Sequence, residues 1–488
     1  MINYSNWLDQ NKELLNEVLS LAKEKKARLY IVGGALRDIL LAREKSNPDI
    51  DFCLKKGAVR FGRELSRKLR AGFVLLDEEH GSSRVVKKIK NKICTLDFSD
   101  FKGKDINDDL LRRDFSINSM AIDLEDALSG KAFKEMIIDP WSGQKDLKKR
   151  LIRQVNGKNF QEDPLRILRG FSLAAAFGLT IDKDTLRSMD KVKNKLSGVS
   201  GERIRDEIFK ILASGRVHKS IEQLYSRGIL ALLIPQIKPM RKLKQGGYHH
   251  LDVWGHSLDT VKQMEAVVKR ISRNKDVADY LGQEISSGHK RLDLLMLAVL
   301  LHDIGKPKTF KREKGKISFH GHERLGSFMV NEIAQSLKLS KEEARMLRKI
   351  VFLHLRPGYM VTNPVLTRRA KFRFFRDAGD EAVSVLLLAL ADERATRGYL
   401  LLDNIRKRYK RVIPGLIREY FHKQAMPQRK RLINGNDLIG HFKLVPSPLV
   451  GRLLSRLDEL QGIGKIKNKT DGFKQAARML KEERQDHG

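Results

Sequence analysis

Residues 31–52, IVGGALRDILLAREKSNPDIDF, limit what this chain can fold into more than any other stretch. Residues 28–32 read as a buried strand, Gly33-Gly34 as a turn, and residues 35–42 as a helix opened by that turn. A glycine pair between strand and helix lets backbone N–H groups and a helix N-terminus face a phosphate, and Arg37 adds a cation one turn in. Asp49-Ile50-Asp51 sharpens this reading. Alternation along a strand puts both carboxylates on one face, where two like charges are costly unless a cation lies between them. A divalent metal is the natural cation, and Asp97, in ICTLDF, offers a third carboxylate. Three carboxylates can hold two Mg²⁺ ions that lower the pKa of an attacking hydroxyl and neutralise a triphosphate. The alternative is that Asp49 and Asp51 are turn and edge residues with no ligand.

Residues 50–54, 73–76, 83–89 and 93–98 read as further strands, so the first third is a small α/β domain. From about residue 162 the strand signals fade. Amphipathic helices follow at 165–177, 203–212, 258–271 and 292–301, and the remainder is expected to be all helical. A length of 488 residues implies two to four domains. The 96 Lys and Arg against 60 Asp and Glu leave +36, which argues for a polyanionic partner, nucleic acid ahead of an anionic membrane surface. Basic clusters recur at 87–92, 145–153, 191–195, 241–244, 406–411, 429–431 and 465–469. Any one is ordinarily a solvated helix face; their recurrence spreads the charge over every domain. No stretch approaches the ~20 uninterrupted apolar residues of a membrane span. The first ten residues lack a leader pattern, and Cys53 and Cys94 cannot make a disulfide framework, so a reducing cytoplasm is expected.

GGALRD followed by DID resembles the first signature of the DNA polymerase β type nucleotidyltransferases. RRDFSINSMA (112–121), DPWSGQKDL (139–147), EDPLRILR (162–169) and GERIRDEIFKIL (201–212) follow in the order seen in class II tRNA nucleotidyltransferases and bacterial poly(A) polymerases. The resemblance covers about residues 25–215. It implies an α/β, polymerase β-like nucleotidyltransferase head, then an all-α neck. Asp49, Asp51 and Asp97 would be the catalytic carboxylates, with Mg²⁺ on Asp49 and Asp51. Gly33, Gly34, Arg37, Asp38, Arg113, Asp114, Asn118, Asp163, Arg166 and Arg169 would bind the nucleotide.

The later signatures also have a reading of their own. In RRDFSINSMA the basic pair can meet phosphate, while Asp114 and Asn118 offer polar groups for fixing backbone or ribose; the bland reading is a strand-to-helix junction with Asp114 capping locally. In EDPLRILR, Pro164 suits the first helical position and Asp163 the N-cap. Arg166 and Arg169 share a face, and an Asp and an Arg one turn apart could instead present acceptor and donors to the edge of a base. In the resembled family the matching Asp and first Arg do this for C and A, and the second Arg helps hold the triphosphate.

A second site is suggested by the histidines. His302-Asp303 ends an apolar helical run and is followed by Ile304-Gly305-Lys306; His256 lies upstream, His320, His322 and His354 downstream, and Asp392 follows. Imidazole and carboxylate are the ligand types for Mn, Fe, Ni or Zn, and helices could converge on one ion. The arrangement resembles HD-domain phosphohydrolases, with His256, His302, Asp303 and Asp392 as core ligands, His322 and His354 as accessory ones, and His320 as the alternative to His322. The implied domains are a head (1–140), a helical neck with the nucleotide-selecting motif (141–240), an HD metal-binding domain (241–405) and a basic helical tail (406–488).

The expected activity is template-independent addition of C and/or A, from CTP and ATP, to the 3′ end of tRNA, with no membrane involved. Poly(A) polymerase is the nearest rival, and the acidic Asp77-Glu78-Glu79 departs from the basic stretch that such enzymes share there. Only residues 99–107 separate the third carboxylate's strand from the lead-in to the second signature. CC-adding members have a shortened loop in this region, so the chain is expected to stop after two C residues. The reading from another class is an HD phosphohydrolase with an RNA-binding head.

Overall fold

The computed structural model describes residues 4–43, 47–89, 92–129, 132–247, 249–398, 403–425 and 430–485; Lys90 and Arg429, members of two basic clusters, lie outside them. The chain forms two compact units, residues 1–216 with 223–233, and residues 217–222 with 234–488.

The first unit is built on a six-stranded sheet of order β3-β4-β5-β2-β1-β6. The strands are β1 (Leu29–Val32), β2 (Asp49–Leu54), β3 (Gly72–Asp77), β4 (Ser82–Ile89), β5 (Lys92–Asp100) and β6 (Ala121–Asp123). β2 and β5 run parallel and the other neighbours antiparallel. Alternation in β2 sends Ile50 and Phe52 into the core, so Asp49 and Asp51 share the opposite face. Phe52 stacks on Phe98 at 5.1 Å, and Phe61 of the Ala58–Leu69 helix packs on the same ring at 5.2 Å. β6 was not anticipated, because three residues are too few to show a period. After the sheet come the helices Leu165–Phe177 and Gly201–Leu212, whose apolar faces meet.

The second unit is mainly helical, with long helices Val253–Ile271, Arg291–Leu301, His322–Ser336, Lys341–Leu353, Ala382–Ala395 and Asp403–Gln424. Residues 294–301 are apolar all round and wholly buried. The expectation that everything after residue 162 is helical needs correction. Glu284–Ser286 pairs with His289–Lys290, and Lys311–Glu313 with Lys316–Ser318. Both hairpins turn through two residues of positive φ, Ser287-Gly288 and Lys314-Gly315, the conformation that suits tight two-residue hairpins. Each strand is too short to show alternation, so only the X-Gly turn carried the signal. A further two-residue parallel pair, Leu151–Ile152 with Thr180–Ile181, lies in the first unit. The C-terminal helices Gly435–Phe442, Pro448–Gly462 and Lys469–Gln485 enclose an apolar cluster that includes Leu438, Leu453, Leu457 and Met479. Among the described residues no helix is long and apolar enough to cross a membrane.

Candidate functional site: two acidic centres

The sheet register assembles the first centre. Asp51 on β2 lies opposite Asp97 on β5, and Asp97 lies opposite Arg84 on β4, so the three form one row across three strands. Asp49 precedes Asp51 by one alternation, and carboxylate oxygens of Asp49, Asp51 and Asp97 lie within 4.8 Å of one another. Asp49 is exposed, and Asp51 and Asp97 are half-buried. Facing carboxylates repel unless a cation intervenes. Arg84 supplies part of that charge, its Nε and Nη2 each donating to Asp97 at 2.7 Å. The donor set is oxygen only and partly open to solvent, which fits a hard divalent cation.

Gly33 lies at the edge of this cluster with φ +72°, and a Cβ there would come within 3.2 Å of both Arg113 Nη1 and Asp51 Oδ2. Glycine therefore answers both a left-handed backbone and a close approach of side chains. Arg113 is itself held by Asp109, whose Oδ2 accepts from its Nε at 3.1 Å and Nη2 at 2.9 Å. Arg37 donates to Asn118 Oδ1 at 2.6 Å and to Asp38 Oδ1 at 2.9 and 3.0 Å. Asn118 in turn donates to Asp114 Oδ1 at 3.1 Å, and Arg169 Nε lies 3.0 Å from Asp114 Oδ2. Five of the expected residues, from the first, second and fourth signatures, thus form one polar chain: Asp38, Arg37, Asn118, Asp114, Arg169. Burial pushes the Asp114 carboxyl up, but Arg169, the Asn118 amide, the Phe115 N–H and Arg166 together hold it below the usual carboxylate range.

Asp163 and Arg166 have other partners. The Leu165–Phe177 helix spans the expected range but has Pro164 rather than Asp163 at its cap, and Asp163 accepts from the Leu165 N–H at 3.3 Å. Its other oxygen accepts from Arg203 at 2.9 Å, while Arg166 donates to the Asn159 carbonyl at 3.4 Å. The DPWSGQKDL signature is a buttress. Asp139 accepts from the N–H groups of Gly143 and Gln144 at 2.6 and 3.0 Å, and a Cβ on Gly143 would fall 2.3 Å from the Ser116 carbonyl oxygen. Sequence reasoning missed Arg84, Asp109 and Arg203 as site residues. Arg203 was visible inside a signature, whereas Arg84 and Asp109 become apparent only through register and side-chain pairing.

The second centre is buried. His302 and Asp303 follow the Arg291–Leu301 helix, His256 comes from Val253–Ile271, His322 opens His322–Ser336, His354 ends Lys341–Leu353, and Asp392 lies in Ala382–Ala395. They do not form a single cluster around one point. His256, His302 and Asp392 make one trio, and Asp303, His322 and His354 another. Asp303 joins them, with Oδ2 3.3 Å from His302 Nε2 and 3.8 Å from His256 Nε2, and Oδ1 3.3 Å from His322 Nε2 and 3.7 Å from His354 Nε2. His320 is exposed, which leaves His322 as the residue at the site.

Three of the imidazoles are oriented alike. Nδ1 of His302, His322 and His354 lies 2.8, 2.7 and 2.6 Å from the carbonyls of Val299, Phe319 and Val351. Assigning each Nδ1 as the donor turns the Nε2 lone pair inward, which is how a metal-binding histidine is set. The Nε2 atoms of His256 and His302 are buried and face carboxylates, 2.9 Å from Asp392 Oδ1 and 3.3 Å from Asp303 Oδ2, and this convergent nitrogen-and-oxygen set fits a metal ion. Burial, with His302 and His322 adjacent, pushes His354 down to about 3, so its ring is neutral as a ligand must be. Lys306 bridges Asp303 at 2.6 Å and Gln245 at 2.7 Å. Gly305 permits the close approach of the next helix, since a Cβ there would fall 2.2 Å from the His322 carbonyl oxygen. His249, unnoticed in the sequence, packs edge-on against His256 at 4.5 Å.

Comparison with known proteins agrees with this division. Residues 29–153 match the Poly A polymerase head domain, residues 178–241 the probable RNA and SrmB-binding site of polymerase A, and residues 253–397 the HD domain. The chain is 30% identical to an A-adding tRNA nucleotidyltransferase of Deinococcus radiodurans, over 89% of this chain and 92% of that protein. It is 29% identical to a CC-adding tRNA nucleotidyltransferase of Thermus thermophilus, over 91% of each. A structure described as a CCA-adding enzyme complexed with ATP shares the fold, with a TM-score of 0.64 at 20% identity over 98% of this chain and 97% of that one. With the signatures, the fold and this likeness over nearly its full length in agreement, the chain belongs to the tRNA nucleotidyltransferase family.

Proposed function

We propose that this protein extends the 3′ end of tRNA without a template, joining the nucleoside monophosphate of CTP or ATP to the terminal hydroxyl and releasing pyrophosphate. The row Arg84–Asp97–Asp51, with Asp49 on the same face, carries the reading. Mg²⁺ held by Asp49 and Asp51 would neutralise triphosphate charge and lower the pKa of the attacking hydroxyl. Asp97, oriented by Arg84, takes the proton of that hydroxyl as its oxygen bonds to the α-phosphorus, and the bond to the departing pyrophosphate breaks on the opposite side. Gly33 leaves room for phosphate beside Arg113. Arg37 and Arg169 are held at the two ends of the Asn118–Asp114 pair, positioned for the triphosphate. Asp163, steadied by Arg203, and Arg166 present acceptor and donors to the base, so that protein side chains stand in for a template.

Which nucleotides are added rests on the connection between β5 and the Ile106–Leu111 helix. Residues 101–105 alone span it, and Asp105 caps the helix by accepting from Asn107 and Asp108 N–H groups at 2.9 and 3.0 Å. So short and tied a connection supports a protein that stops after two C residues. Incubating tRNAs truncated at each terminal position with CTP and ATP separately, and sequencing the ends, tests both readings. No incorporation with any tRNA would overturn the activity; efficient A addition to a tRNA ending in CC would overturn the restriction.

The histidine centre is the basis of a second activity, metal-dependent phosphate-ester hydrolysis, with Mn, Fe, Ni or Zn held by the two trios. Hydrolysis by the intact chain that disappears in His302→Ala/Asp303→Ala would support it. A cytoplasmic setting suits both reactions and the two free, buried thiols of Cys53 and Cys94.

A further inference from the structure

In the second unit a cavity of about 620 Å³ opens between the end of the Val253–Ile271 helix, the start of Lys275–Gly282, the end of Ala382–Ala395 and the middle of Asp403–Gln424. Five cations line it: Arg270, Arg273, Arg394, Lys410 and Arg418. Arg270, Arg273 and Arg418 make no ion pair among the described residues. The single carboxylate in the wall, Glu393, is buried, is pushed up by that burial, and lies 3.7 Å from Arg406 outside the wall. Such an excess of positive charge around one hollow costs self-repulsion, which a bound polyanion relieves. The floor differs from the rim. Val267, Ile271, Leu390 and Ile417 give it an apolar surface, and Pro414 removes one backbone donor from the helix that crosses it.

We infer that this cavity holds a stretch of the tRNA substrate's backbone, phosphates on the basic rim and one ribose or base against the apolar floor. The inference rests on the proposed function for the identity of the RNA. Charge complementarity favours a polymer over a free nucleotide, because five cations distributed over three helices and the 272–274 connection match successive phosphodiesters better than one triphosphate. None of the five belongs to either acidic centre, so the cavity acts in binding and leaves the chemistry to the head.

The test is steady-state nucleotide addition by the full chain and by an Arg270→Glu/Arg418→Glu variant, with Lys311→Glu as a control for charge on an exposed hairpin of the same unit. The expected result is a KM for tRNA raised about tenfold, with KM for CTP and kcat unchanged, and a salt slope of tRNA binding reduced by about 1 to 2. Lys311→Glu should leave all four near wild type. Arg270 and Arg418 are exposed, so both variants should fold, and circular dichroism checks this. A photoreactive benzoylphenylalanine at position 273 should crosslink to tRNA, and excess CTP or ATP should not compete. Equal effects from Lys311→Glu, an unchanged KM for tRNA, or loss of the crosslink to free nucleotide would each overturn the inference. If wild type adds nucleotides while the variant matches it, the cavity assignment alone fails; if wild type adds none, the proposed function fails first.

Discussion

The two centres use carboxylates in opposite ways. In the head the acids stand on one face of a sheet, partly solvated, and their repulsion is contained by arginines: Arg84 on Asp97, and Arg113 beside Asp51. In the second unit Asp303 is buried among imidazoles and a lysine, and only Asp392, 28% exposed, reaches solvent. Burial pushes the Asp303 carboxyl up, but His302, Lys306 and His322 outweigh it and keep it ionised. An open oxygen-only cluster suits a cation that must share its coordination with a polymer end and a triphosphate. A closed nitrogen-and-oxygen cluster suits an ion that stays. The difference teaches that aspartates of identical chemistry serve different centres according to what the fold places around them: arginines and solvent in the head, imidazoles and a lysine in the second unit.

The largest expected effect breaks the comparison at the head. Asp49→Ala/Asp51→Ala should lower nucleotide incorporation by about 10³-fold or more, as loss of preorganised charge stabilisation does, while His302→Ala/Asp303→Ala should leave it near wild type. An intact rate in the first variant would remove the head from the chemistry. Next is metal response. Adding Mn²⁺ or Zn²⁺ at about a hundred times its Kd should stabilise the chain by about 2.7 kcal/mol in thermal unfolding, and the His302/Asp303 variant should lose that gain. A similar gain in the variant would mean the ion binds elsewhere.

A smaller effect concerns Asp114. Its native carboxyl titrates below the unfolded value, so the Asp114–Arg169 pair stabilises the head above about pH 4 and is lost as pH falls through the native value. Asp114→Asn should therefore unfold earlier than wild type at pH 7, by about 2 kcal/mol, with the difference closing as pH falls through the native value. A gap that persists in acid would assign the loss to packing. Least of all, Arg84→Gln should reduce kcat/KM about tenfold with the fold retained, as loss of a partner to a ligand does, and Arg84→Lys should restore part of it. No change would show that Asp97 needs no orientation.

Much of this was legible beforehand because it was local. A strand leading into Gly33-Gly34 and the adjacent His302-Asp303 are set by immediate neighbours, and the alternating aspartates in β2 and the helix at Leu165–Phe177 by spacings of two and of three to four residues. The two hairpins of the second unit were not legible, since two or three residues cannot display a period. The same limit applies to His322 against His320: two residues apart at a helix start, one is buried in the histidine cluster and the other exposed.

By itself the sequence determined the order of signatures, the residue types gathered at each centre and the excess of positive charge. Tertiary structure alone decided which residues meet. Arg84 faces Asp97 because antiparallel register places them opposite across 13 positions of chain, and Asp38, Arg37, Asn118, Asp114 and Arg169 join because three distant signatures converge behind one glycine turn. Division of the histidine centre into two trios also comes from packing, since five elements contribute to it and no spacing rule relates them. Periodicity is a property of neighbours along the chain. Partnership across it depends on register and helix packing, which the burial of apolar faces fixes only when the whole domain has folded.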